Sequence, residues 1–101
     1  MFEKREASKD EIVLVVSGPL NGEPAGDFQK QLEELYAGSC SIITLDLRQV
    51  SSINSSSIGK ILLYRKKLAE QNRVIRIRGC SDSLFNTFQL IKFDKLIDIE
   101  K

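Results

Sequence analysis

The sequence predicts an α/β layer fold with mostly parallel strand pairing. Three observations carry that reading. Short apolar, β-branched runs recur along the chain, amphipathic helical stretches separate them, and Gly, Pro, Ser and Asn cluster at the junctions. Residues 2–7 read as a weak edge strand that turns at Lys9-Asp10 and pairs with the next strand. That next strand, Glu11–Ser17 (Glu-Ile-Val-Leu-Val-Val-Ser), is apolar almost throughout, as a buried strand is, and Gly18-Pro19 stops it. Residues 22–26 read as a loop. From Asp27, residues Phe28, Leu32, Leu35 and Tyr36 fall at helical spacing, with Gly38 where a helix C-cap belongs. Residues 41–47 form a second buried strand, and residues 48–57 a polar loop. Ile58, Ile61, Leu62 and Leu68 mark an amphipathic helix ending near Gln71-Asn72. Val74–Arg78 alternates, with Ile75 and Ile77 on one face and Arg76 and Arg78 on the other. Ser81-Asp82-Ser83 caps a short helix carrying Leu84, Phe85, Phe88 and Ile91, and residues 96–99 close the sheet.

Composition narrows the function classes. A chain of 101 residues is expected to form one domain spanning residues 1–101, and 42% hydrophobic with 29% charged residues is a globular balance. The net charge of +1 gives no reason to expect nucleic acid or a membrane surface as partner. Cys40 and Cys80 form no C-x-x-C pair and there is no histidine, so zinc sites of the Cys/His kind are excluded. Two isolated cysteines are expected to be buried small hydrophobes in a reducing compartment, with a disulfide between them the alternative. The charged start lacks the apolar stretch of a signal peptide and no run reaches membrane-span length, so a cytoplasmic location is expected.

The segment from Val50 to Gly59, Val-Ser-Ser-Ile-Asn-Ser-Ser-Ser-Ile-Gly, holds the main candidate site. It joins a buried strand to a helix, beyond the strand's carboxyl end, where α/β sheets build their sites. Ser and Asn there are first of all N-cap residues, whose oxygens accept from free backbone N–H groups. One cap needs one or two such residues, whereas this loop holds five serines and an asparagine. The same helix N-terminus tolerates an anion, so a serine there can carry phosphate without breaking the fold.

Enzyme-like alternatives fail on the residues. Gly59-Lys60 is no P-loop, because Asn54 stands where the first glycine belongs and Ile61 where Ser or Thr belongs. Ser55–Ser57 has no histidine base and no G-x-S-x-G elbow, so no catalytic residue and no cofactor is expected. Asp46, near the end of its strand, is either a site carboxylate or a partner for loop backbone, the blander role having the better claim. Arg76 and Arg78 read as a solvated strand face rather than an anion site. Phe85, Phe88, Ile91 and Phe93 read mostly as core.

Taken together, the element order and the serine loop resemble the STAS domain, specifically the stand-alone bacterial anti-sigma-factor antagonists. The resemblance spans nearly the whole chain, from Gly18-Pro19-Leu20 to the closing Leu90-Ile91-Lys92-Phe93-Asp94-Lys95-Leu96-Ile97. The family hallmark Asp-Ser-Ser-Gly-Leu-Gly is here Asn54-Ser55-Ser56-Ser57-Ile58-Gly59. The resemblance implies a mixed, mostly parallel sheet of four to five strands packed with three to four helices. It implies a partner-binding protein, not an enzyme: unphosphorylated, it binds an anti-sigma factor or a switch-protein serine kinase of the GHKL type. Phosphorylation at the position of Ser55, with Ser56 second, releases the partner, and a PP2C-like phosphatase restores binding. The binding face it implies comprises Asn21, Ser51, Ser52, Asn54, Ser55, Ser56, Ser57 and Ile58, with a monomer as the free form. Asn54 and Asn21 stand where the family has acidic residues, and Ser57 where it has glycine. Those departures favour, as the second reading, a constitutive interaction domain without serine chemistry. A small-molecule sensor ranks below both.

Overall fold

The protein is described by a computed structural model that covers every residue except Met1 and Gly22 and omits the side chains of residues 23–25. Among the described residues nine elements follow one another: β1 (Phe2–Glu6), β2 (Glu11–Ser17), α1 (Glu23–Ala37), β3 (Ile42–Gln49), α2 (Ser55–Ala69), β4 (Val74–Arg78), α3 (Asp82–Leu90), a 3₁₀ turn (Phe93–Lys95) and β5 (Asp98–Glu100). The strands lie side by side in chain order, β1-β2-β3-β4-β5. β1 is antiparallel to β2, and the remaining neighbours are parallel. Right-handed crossovers between sequential parallel strands bring the helices to one face of a sheet. The mixed, mostly parallel α/β sheet expected from the sequence is therefore present. Among the described residues no helix is long and apolar enough to cross a membrane.

Alternation along each strand decides what lies between sheet and helices. Leu14 and Val16 of β2, Ile43, Leu45 and Leu47 of β3, and Ile75 and Ile77 of β4 meet Phe28, Leu32 and Leu35 of α1, Ile61, Tyr64 and Leu68 of α2, and Leu84 and Phe88 of α3. Each fully buried Leu, Ile or Phe contributes about 1.5–3 kcal/mol. Phe2 stacks on Phe28, which ties the edge strand β1 to α1.

The opposite face carries a lattice of ion pairs. Thr44 donates to Glu11 (2.6 Å), and Arg76 binds both Glu11 (3.1 Å) and Thr44 (3.1 Å). Arg78 pairs with Asp98 and Glu100. The Arg76 and Arg78 side chains are only 30% and 26% exposed. They are thus held by cross-strand carboxylates rather than solvated, because the strand register sets Arg76 opposite Thr44 and Asp98, and Arg78 opposite Asp46 and Glu100.

Several boundaries differ from the sequence expectation, each for a local reason. α1 starts at Glu23, not after Gly26. Pro24 in a first turn sacrifices no helical hydrogen bond, and the glycine costs about 1 kcal/mol, which the buried face of α1 offsets. Gly22, the first residue of the expected loop, lies outside the described residues. β3 continues to Gln49 because Ser17 pairs with it across a register shift. α2 absorbs Ser55–Ser57, which its N-cap Asn54 converts from loop to helix. The closing strand starts two residues late, at Asp98, because Phe93–Lys95 form a 3₁₀ turn that buries Phe93 and Ile97. Gly38 follows α1 but is not left-handed; Gly18 and Gly79 are. The Leu35 and Tyr36 carbonyls at the end of α1 are bound instead by Arg73, which also donates to the Cys40 carbonyl just beyond the helix.

Candidate functional site

The serine loop is built by an extension of the sheet. Past Ser17 the chain turns at left-handed Gly18 (φ 88°), whose N–H donates to Gln49 (2.9 Å). The Leu20 N–H donates to the Ser52 carbonyl (2.8 Å), and the Asn54 N–H returns to the Leu20 carbonyl (3.0 Å). This parallel bridge of Leu20 with Ile53 continues the β2–β3 pairing one step beyond the strands. It sets Asn21 beside the loop, where its amide donates to the Ser52 hydroxyl (3.2 Å). Asn21, Ser52, Asn54 and the three following serines thus meet at one end of the sheet. Ser51 is exposed beside them.

The start of α2 sorts the serines by chemistry. Asn54, in extended conformation, accepts the Ser57 N–H on its side-chain oxygen (2.8 Å), as an N-cap does. The first intrahelical bond runs from the Ile58 N–H to the Asn54 carbonyl (3.2 Å). The Ser55 and Ser56 N–H groups are therefore left at the open, partly positive end of the helix. Their side chains are exposed, and Lys60 donates from Nζ to the Ser56 hydroxyl (2.8 Å). Ser57 is different: it is fully buried and its hydroxyl donates to the Leu20 carbonyl (3.3 Å). This corrects its place among the surface residues of the loop, since no kinase or partner reaches that hydroxyl. The reason is the helical step: three residues past the cap, a side chain on α2 turns under the Leu20 segment. Ile58 is half-buried and packs against the core, so it offers a partner only part of its surface.

The other candidates lie elsewhere. Asp46 sits on the helix-free face, buried, with both oxygens on the Arg48 guanidinium (3.1 and 2.7 Å) and one also on the Arg48 N–H (3.2 Å). Hydrogen bonding from Arg48 holds its carboxyl below the ordinary value, against the opposing effect of burial. It is a structural ion pair, and it borders a cavity of about 530 Å³ that includes Arg78, Gly79 and Cys80 rather than the serine loop. Phe88 and Phe93 are core, Phe85 is half-buried, and Ile91 is 52% exposed. Cys40 and Cys80 are buried free thiols, and burial pushes the Cys80 thiol up. Among the described residues no cluster of His, Cys, Asp or Glu could hold a metal ion.

Comparison with known proteins agrees with this fold. A curated relative, the anti-sigma-B factor antagonist of Listeria monocytogenes serovar 1/2a, is 26% identical over 99 residues, covering 98% of this chain and 87% of the relative. The anti-sigma-B factor antagonist of Listeria innocua matches equally. Among solved structures, the unphosphorylated form of the anti-sigma factor antagonist SpoIIAA superposes with a TM-score of 0.81 at 16% identity, covering 100% of this chain and 89% of that one. A putative anti-sigma factor antagonist from Thermotoga maritima gives 0.86 at 24% identity, with 99% and 86% covered. These likenesses establish a shared fold. The family model "Mlab, STAS domain" matches residues 4–98, and the chain belongs to the STAS domain family.

Proposed function

We propose that this chain is a phosphorylation-regulated partner-binding protein of the anti-sigma-factor-antagonist type. The observation that carries the proposal is the pair of exposed hydroxyls, Ser55 and Ser56, on a helix start already capped by Asn54. Unphosphorylated, the loop from Ser51 to Ser56 and the adjoining Asn21 bind an anti-sigma factor or a GHKL-type serine kinase. That kinase transfers the γ-phosphoryl group of ATP to the serine oxygen: the bond to ADP breaks, the O–P bond forms and the hydroxyl proton leaves. Ser55 is the first acceptor and Ser56 the second; a PP2C-like phosphatase hydrolyses the ester and restores binding. The protein acts in the cytoplasm, as a monomer when free, and as ligand and substrate rather than catalyst.

The energetics suit a switch. A phosphate brings about −1.5 to −2 charges. At the start of α2 the helix dipole favours it by about 0.3–1 kcal/mol, so the fold is spared. In a docked interface the same charge is desolvated and set against like charge, at a cost of several kcal/mol. About 2.8 kcal/mol already lowers affinity a hundredfold.

A second reading, a constitutive STAS interaction domain, is favoured by Asn54 and Asn21. Both act as neutral hydrogen-bonding groups, Asn54 as the cap and Asn21 on Ser52, at positions where the family pattern has carboxylates. Intact-mass and fragment spectrometry on protein purified from its native host, with and without phosphatase treatment, separates the two. Phosphate on Ser55 or Ser56 supports the switch; its absence across growth and stress conditions supports the constitutive domain.

A further inference from the structure

The exposed side of α2 carries charge of one sign. Lys60, Arg65, Lys66 and Lys67 lie on this helix, and no acidic residue occurs from Ser55 to Ala69. None of the four pairs with a carboxylate among the described residues. The arginines of the helix-free sheet face are all so paired: Arg5 with Glu3, Arg48 with Asp46, Arg76 with Glu11, Arg78 with Asp98 and Glu100. The neighbouring helix α1 has the opposite balance in sequence, with Glu23, Asp27, Glu33 and Glu34 against Lys30. Lys67 leans over the Tyr36 and Tyr64 rings, which leaves Arg65 and Lys66 exposed and Lys60 half-exposed beside Ser56. Steps of three and four residues place Ser56, Lys60, Leu63 and Lys66 on one side of the helix, and Leu63 is 47% exposed.

We propose that this strip is the continuation of the partner interface, and that the partner's matching surface is acidic with an apolar contact for Leu63. The proposal rests on the reading that the serine loop binds a partner, and it names that partner's chemistry. Unpaired cations running from the loop along one helix attract an acidic surface, speed its arrival and fix its register. The strip also explains how a loop that is neutral before phosphorylation can act as a switch. A phosphate on Ser55 or Ser56 adds negative charge at the top of the strip. On Ser56 it also engages Lys60, which already reaches that oxygen. Like charge then faces the acidic partner, and one attracting cation is withdrawn.

Two experiments decide it. In the first, the unphosphorylated full chain is titrated with a short polyglutamate peptide at low salt while backbone amide shifts are followed. Changes concentrated at residues 56–66 support the strip; no change, or changes centred on Arg48, Arg78 and Lys101, overturn it. In the second, Lys60→Glu and Lys66→Glu, each checked for an unchanged melting temperature, are compared with wild type, with Arg65→Glu on the opposite side of the helix and with Lys101→Glu for affinity to the anti-sigma kinase. The expected result is a loss of about tenfold for each of the two strip variants, steeper at low salt, and no such loss for Arg65→Glu or Lys101→Glu. Wild-type binding by Lys60→Glu and Lys66→Glu overturns the acidic partner surface while leaving the switch intact. If wild type does not bind the kinase at all, the switch reading falls, and the peptide titration alone decides the strip. Salt-sensitive self-association of the wild type would make a second copy the occupant and overturn the proposal.

Discussion

α2 and α3 begin alike. Each follows a parallel strand, and each is capped by a side-chain oxygen that accepts the N–H three residues on: Asn54 from Ser57 (2.8 Å) and Ser81 from Leu84 (3.1 Å). Each presents exposed serines in its first turn, Ser55 and Ser56 in one and Ser83 in the other. What differs is the setting. α3 has Asp82 in its first turn, already paired with Lys101, so its positive end is occupied by a carboxylate. α2 has no acidic residue in its first turn, and its cap is pinned by the Leu20 segment arriving from β2. Capping chemistry alone therefore does not make a site. The proposed switch rests on the second feature, an open helix end held by a second segment, with no carboxylate in its first turn.

The comparison can be broken most forcefully at Ser57. Ser57→Asp puts a charge where the side chain is fully buried, and is expected to destabilise the fold by about 3–5 kcal/mol. Ser83→Asp, exposed at the start of α3, should change stability by less than about 1 kcal/mol and in the favourable direction. Denaturant unfolding of the two variants measures both. Next in size is binding. Ser55→Asp is expected to weaken the kinase complex about a hundredfold, equivalent to about 2.8 kcal/mol, while leaving the melting temperature unchanged. Ser55→Ala should bind as wild type but no longer be released, and Ser83→Asp should not alter binding; calorimetric titration distinguishes them. Smaller still is the cost of the caps themselves. Asn54→Ala and Ser81→Ala should each cost about 1 kcal/mol by thermal unfolding, a matched pair if capping is equivalent at the two ends.

The smallest effect is that of pH. Neither cap titrates, since one is an amide and the other a hydroxyl. Acid should instead act on the helix-free sheet face. Hydrogen bonds lower the carboxyls there: Glu11 chiefly through Thr44, Asp46 through Arg48 and Asp98 through Arg78. A group lowered in the folded state stabilises fully above its unfolded value, and that stability is lost as pH falls through the folded value. Stability should therefore be nearly flat from about pH 5 to 8 and fall below about pH 4, with a weaker fall in Asp46→Asn. Circular dichroism across an acid titration checks this.

Much of the fold is legible in the chain because periodicity encodes it. The alternation of Ile75 and Ile77 with Arg76 and Arg78, and the unbroken apolar run Ile12-Val13-Leu14-Val15-Val16, declare their strands directly. Pro24 and Gly26 hid the start of α1, because breaker residues say nothing about the buried Phe28 and Leu32 face that outweighs them. The closing strand was displaced because Phe93 and Ile97 are buried by a tight turn, which no two-residue alternation signals. At the site, the capping role of the loop was legible from residue type. The burial of Ser57 was not, since it depends on Leu20, which lies 37 residues away in sequence. Arg73 was missed for the same reason: its partners are backbone carbonyls of α1, which leave no mark in a sequence.

The most direct measurement is the affinity of the anti-sigma kinase for the chain in two forms, unmodified and phosphorylated at Ser55, with the melting temperature of each recorded alongside. A loss of about a hundredfold or more on phosphorylation, at unchanged melting temperature, is the predicted result. Equal affinity of the two forms would contradict the switch and leave a constitutive binding domain.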